Sequence, residues 1–144
     1  MPFDEYKSGR EIGKRVSGAN CRHEYGLEFM KVTGQRVCAY CGLDLTSSFE
    51  AWLTQCLDHV VPASVCKDLG IKPEWQDDNT NKVLACAACN GFNNRWKPDW
   101  KPEPIRTEQE FLDLRDRVFK ERFWGVHERR ERERAVFHQR KWEK

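Results

Sequence analysis

Two Cys-x-x-Cys pairs, Cys38-Ala39-Tyr40-Cys41 and Cys86-Ala87-Ala88-Cys89, constrain this chain more than any other feature. A two-residue gap lets two thiolates grip one ion from a single tight turn, and two such turns supply four thiolates. Four thiolates are the donor set of closed, tetrahedral structural zinc sites. Cys38, Cys41, Cys86 and Cys89 therefore read as the ligands of one structural Zn²⁺. Gly42, directly after the first pair, can relieve the backbone where the turn ends. A redox Cys-x-x-Cys would need only one pair, placed at a helix start after a strand. Cys21, Cys56 and Cys66 lack such spacing and read as small core residues or free thiols. The start, Met1-Pro2-Phe3-Asp4-Glu5-Tyr6-Lys7, has no apolar core behind a basic head. The expected location is cytoplasmic and reducing, where clustered cysteines more often hold metal than pair as disulfides.

The 25 Lys+Arg and 23 Asp+Glu nearly cancel to a formal charge of +2, so any basic surface must be local. The longest unbroken apolar run, Val83 to Cys89, is far short of the ~20 residues of a membrane span. Four stretches differ in composition. Residues 1–36 are a polar flanking segment with scattered glycines and some helix around Leu27 to Val32. Residues 37–97 hold the paired cysteines. Residues 98–106, with Pro98, Pro102 and Pro104, read as an extended linker. Residues 107–144 read as a helical extension. It opens on the capping box Thr107-Glu108-Gln109-Glu110, with Phe111, Leu114, Val118 and Phe119 on one face. Gly125 is expected to break or kink it. The run from His127 to Arg134 reads as a solvated face laced by pairs such as Glu128–Arg132, each worth ~0.2–0.5 kcal/mol.

Between the cysteine pairs, Trp52 to Pro62 is rich in strand formers and delivers Asp58 and His59 at its far end. Ala63 to Gly70 reads as a short helical turn, Lys72 to Thr80 as a polar loop, Asn81 to Ala85 as a second strand, and Ala87 to Trp96 as a helix. The fold class is α+β: a strand–loop–strand–helix unit with helices on either side. An imidazole with pKa near 6.5 can take a proton from water at pH 7. An adjacent carboxylate can hold a hard divalent ion against a phosphate. Asp58-His59 alone would be an ordinary polar pair, and Asn81 and Asn90 alone would be turn and cap residues. Trp96 and Trp100 are expected to pack in the core.

The series Asp58-His59-Val60-Val61-Pro62, then Asn81-Lys82-Val83-Leu84, then Cys86-x-x-Cys89-Asn90 resembles the HNH endonuclease family over roughly residues 37–97. The resemblance implies a small zinc-stapled ββα-metal finger and a metal-dependent cleavage of double-stranded DNA. It implies His59 as the general base and Asn81 as the side chain that ties the loop down and orients it. It implies Asp58 and Asn90 as ligands of a separate catalytic divalent ion, commonly Mg²⁺. An amide oxygen at position 90 is a harder donor than the imidazole often found there, which favours Mg²⁺ over Zn²⁺. Arg95 and Lys97 resemble the basic residues that often follow this helix and contact the DNA backbone, and Asn94, four residues after Asn90 on the same helical face, is a candidate third metal ligand or phosphate contact. Ser64 to Gly70 departs from the Gly-rich loop that many members carry at this place.

Two other functions use the same residues differently. A zinc-stabilised nucleic-acid-binding module would need the cysteines but not Asp58, His59 and Asn90 together. A zinc-dependent protein-interaction domain would use the C-terminal helices and ignore DNA. One such unit holds one base for one scissile phosphate, so cutting both strands calls for a homodimer.

Overall fold

The strand formers between the two cysteine pairs form one antiparallel hairpin. The computed structural model of the chain describes residues 1–6 and 21–143. Strand β1 (Gln55–His59) runs against β2 (Lys82–Cys86), with Gln55 opposite Cys86 and His59 opposite Lys82. All five residues of β2 are buried. Helices α1 (Gly26–Thr33) and α2 (Phe49–Leu53) precede the hairpin. Helices α3 (Ala63–Asp68) and α4 (Pro73–Gln76) lie inside it, and α5 (Ala87–Asn93) and α6 (Glu108–His138) follow. The architecture is α+β. The glycines at 9, 13 and 18 and the side chain of Cys21 lie outside the described residues.

Several element boundaries differ from expectation. Trp52 belongs to α2 rather than to the strand: Ser48 Oγ caps that helix by accepting from Ala51 N–H at 3.0 Å, and the chain turns extended only at Gln55. The polar loop of residues 72–80 contains α4, opened by Pro73, whose missing N–H is no loss at a helix start. Asn81 ends a short 3₁₀ turn (Asn79–Asn81) capped by Asp78, so β2 begins one residue later. Helix α5 stops at Asn93, three residues early.

The C-terminal helix is continuous for 31 residues, and Gly125 does not interrupt it. A glycine inside a helix costs about 1 kcal/mol, and the buried Arg122 and Val126 on either side hold this turn against the core. The capping box is formed: Thr107 Oγ1 accepts from Glu110 N–H at 3.1 Å, and the Glu110 carboxylate accepts from Thr107 N–H at 3.1 Å. Phe111, Leu114, Val118 and Phe119 are buried on one face, as the spacing predicts, and Arg115 and Arg122 are buried among them. Phe3 meets Phe119 edge-on at 5.5 Å, with the Arg115 guanidinium 3.9 Å from its ring. Residues 98–106 form neither helix nor strand and lie back along α6. Trp100 Nε1–H donates to both Glu121 carboxylate oxygens (2.8 and 2.9 Å), and Arg117 stacks 3.5 Å from its ring. From position 131 onward the helix is exposed. Ion pairs in the run from His127 to Arg134 include Arg129–Glu133 (2.9 Å) and Arg134–Glu131 (3.5 Å); among the described residues Glu128–Arg132 is not paired. No helix among the described residues is long and apolar enough to cross a membrane.

Candidate functional site

The first cysteine turn is a small reversal of the chain. Cys38 N–H donates to Leu43 O (2.8 Å), Gly42 N–H donates to Cys38 O (2.9 Å), and Gly42 sits at φ +77°, the left-handed conformation glycine tolerates best. Ala39 N–H donates to Leu84 O at 2.9 Å, which fastens this turn to β2. The second pair straddles the junction of β2 and α5. Cys86 ends the strand and caps the helix, its Sγ accepting from Cys89 N–H at 3.5 Å. The four sulfurs consequently lie within 4.8 Å of one another. A tetrahedral zinc with Zn–S near 2.3 Å spaces its sulfurs roughly 3.8 Å apart; Cys41 and Cys86 Sγ are 3.9 Å apart. The donor set and its spacing suit a structural Zn²⁺. Hydrogen bonds from Cys86 and Cys89 hold the Cys38 thiol well below its usual range. Arg130 on α6 donates from Nη1 to Cys89 Sγ at 3.8 Å, so this arginine is not part of the solvated face.

At the other end of the hairpin, Asp58 and His59 are neighbours on a strand and so point to opposite faces. Asp58 Oδ2 accepts from Arg122 Nη2 (2.7 Å) and from the Tyr40 hydroxyl (3.1 Å). Arg122 Nη1 also donates to the backbone oxygens of His59 (2.6 Å) and Val60 (2.7 Å). The guanidinium is 1% exposed and the Asp58 side chain 14%. Burial pushes the Asp58 carboxyl above its usual range, against the pull of Arg122, Tyr40 and His59. The His59 Nε2 lies 3.0 Å from Asp77 Oδ1. Burial holds this imidazole below its ordinary value, against the carboxylate's opposing effect, so it is neutral at pH 7. Asn81 is fully buried. Its Oδ1 accepts from Val61 N–H (3.0 Å), and its Nδ2 donates to Val61 O (3.2 Å) and Gln76 O (2.9 Å).

The hairpin thus brings Asp58, His59 and Asn81 to one end. Asn90 is half-buried in α5 and takes no part in the bonds that hold Asp58. Asn94, Arg95 and Lys97 are exposed just beyond that helix, and Trp96 and Trp100 pack partly buried against the core. Cys66 is a buried thiol pushed up to about 12 by burial, and Cys56 is half-buried. The Asp58 and Asn90 oxygens are hard donors that suit Mg²⁺. Arg122 already balances the carboxylate's charge, so little net charge remains for an ion. Among the described residues, the cysteine quartet is the one group of three or more His, Cys, Asp or Glu side chains placed to hold a metal. Sequence reasoning does not single out Arg122, Tyr40 or Asp77. Arg122 alone carried a signal, since it continues the three-and-four spacing of the apolar face of α6. No family model, curated protein or solved structure matches the chain.

Proposed function

We propose that this chain is a metal-dependent DNA endonuclease of the HNH type, hydrolysing phosphodiester bonds with His59 as general base. The observation that carries this reading is a neutral, 19% exposed imidazole at the end of a hairpin whose other end is a four-thiol site. Such a ring accepts a proton from water at pH 7, and the zinc-stapled hairpin holds it in place. Asp58, through Oδ1, and Asn90 would hold Mg²⁺, which supplies Lewis-acid stabilisation of the phosphoryl and leaving oxygens when bound. With Asp58 already paired to Arg122, the ion depends largely on phosphate oxygens for its remaining ligands. Asn94, Arg95 and Lys97 meet the backbone of double-stranded DNA. Clustered cysteines that hold metal suit a reducing, cytoplasmic compartment, and double-strand cleavage requires a homodimer.

The Asp58–Arg122 pair also favours a second reading, a zinc-stabilised nucleic-acid-binding module without cleavage activity, because a neutralised carboxylate is a poor metal ligand. Supercoiled plasmid incubated with the zinc-loaded protein and Mg²⁺ separates the two. Nicked or linear product supports the nuclease. Retarded but intact plasmid supports the binder.

A further inference from the structure

We propose that Asp77 is the positioning residue of His59, accepting a hydrogen bond from Nε2–H and so leaving Nδ1 as the ring nitrogen that takes the proton. The inference deepens the nuclease reading and rests on it for the role of Nδ1. An ionised carboxylate can only accept hydrogen bonds, so at 3.0 Å the ring nitrogen facing Asp77 Oδ1 must be the donor. A neutral imidazole has a single N–H, and the other nitrogen then carries the lone pair. Gln76 Nε2–H also points at Asp77 Oδ1, at 3.4 Å, which reinforces that oxygen as an acceptor.

The pairing is held from both sides by one buried side chain. Asn81 accepts from the N–H of Val61, two residues after His59, and donates to the carbonyl of Gln76, the residue directly before Asp77. Its second donor bond returns to Val61 O, and its own backbone carbonyl accepts from Val60 N–H at 2.8 Å. Asp77 N–H is engaged by Pro73 O at 3.0 Å. A primary amide is the side chain that can accept from one backbone N–H and donate to two carbonyls at once. Asn81 therefore orients His59 indirectly, by clamping the segment that carries its partner. The pair is 19% and 24% exposed, well short of a freely solvated surface ion pair. In the proposed reaction a water O–H bond breaks as its oxygen bonds to phosphorus and the P–O bond to the leaving nucleotide oxygen breaks, and the water proton goes to Nδ1. The Nε2–H proton stays on the ring, and the resulting positive charge faces the Asp77 carboxylate, which takes no proton.

Zinc-loaded, ¹⁵N-labelled full-length chain would be examined at pH 8.5 by histidine-ring NMR. The signals of His59, among four histidines, are assigned by their loss in His59→Gln. Wild type is expected to show a one-bond Nε2–H cross-peak and a long-range pattern with unprotonated Nδ1. Asp77→Ala should lose that cross-peak through exchange with water. Asp77→Asn, which keeps an acceptor oxygen, should retain it. Single-turnover plasmid nicking should fall about 10–100-fold in Asp77→Ala at unchanged DNA affinity, with partial recovery in Asp77→Asn. An Nδ1–H tautomer in wild type, or an Asp77→Ala protein that keeps the cross-peak or nicks at the wild-type rate, would overturn the proposal. If wild type nicks nothing but shows the Asp77-dependent Nε2–H signal, the nuclease reading fails and the assignment of Asp77 stands.

Discussion

Replacing Arg122 with methionine should cost about 3–5 kcal/mol of folding stability at pH 8, the range for removing one partner of a buried ion pair. The size follows from what the guanidinium does. It is 1% exposed, pairs with Asp58 at 2.7 Å, and satisfies the backbone oxygens of His59 and Val60. Methionine fills similar space but strands a buried carboxylate and two carbonyls. Arg115→Met is the control. That side chain donates to Thr80 O at 2.8 Å and pairs with a half-buried Asp116, so a smaller cost of about 1–2 kcal/mol is expected. The pH dependence carries the sign. Without Arg122, Asp58 in the folded chain holds a proton that the unfolded chain has already released. Lowering the pH toward that raised folded-state value then favours the folded state, so the penalty should shrink as the pH falls, by at most about 1.36 kcal/mol per pH unit. The double variant Asp58→Asn/Arg122→Met should lose that pH dependence. Urea unfolding of zinc-loaded protein by far-UV circular dichroism measures all four. An Arg122→Met penalty below about 1 kcal/mol, or one that does not shrink as the pH falls, would refute the pairing as the force that seats α6 on the hairpin.

Cys86→Ser should lose its zinc by elemental analysis and with it most of its helical signal, since apparent zinc binding of ~10–16 kcal/mol acts as folding energy; a folded Cys86→Ser chain with one zinc would contradict the four-thiol site. Gly125→Ala should raise the urea midpoint by the equivalent of about 0.5–1 kcal/mol, because a Cβ at this position meets nothing within 4 Å. A lowered midpoint would mean that the helix needs the glycine. Brief EDTA should stop nicking and added Mg²⁺ restore it while the zinc content stays at one per chain. Loss of zinc in step with activity would merge the two metal sites into one.

The parts of this fold that were legible are those whose physics is local. Cys-x-x-Cys spacing dictates a turn, and Thr107 with Glu110 caps a helix whether or not anything packs on it. The apolar period of Phe111, Leu114, Val118 and Phe119 dictates which face of α6 is buried. Asp58 and His59 at a strand end followed from the run of strand formers. The start of that strand did not, because Ser48 caps a helix over residues that also suit a strand. Gly125 misled for a related reason: its intrinsic cost is small beside the burial of Arg122 and Val126. The partners of the site residues were not legible. Asp77 reaches His59 only through the loop that Asn81 clamps, and Tyr40 reaches Asp58 only because Ala39 is bonded to β2. Arg122 lies 64 positions from its carboxylate. An arginine on an apolar stripe is normally discounted as a snorkelling surface side chain. Here it is the counter-charge that the fold supplies to its own candidate ligand.

Whether His59 performs proton transfer in phosphodiester hydrolysis is decided by comparing wild type with His59→Ala on supercoiled plasmid in Mg²⁺. Both proteins should carry one zinc and bind the plasmid equally, since phosphate contacts come from Arg and Lys side chains. Wild type should convert supercoiled DNA to nicked product, and His59→Ala should do so about 10²–10⁴-fold more slowly. Cleavage by His59→Ala at the wild-type rate would remove the imidazole from the chemistry, and intact plasmid with wild type would leave the chain a binding module.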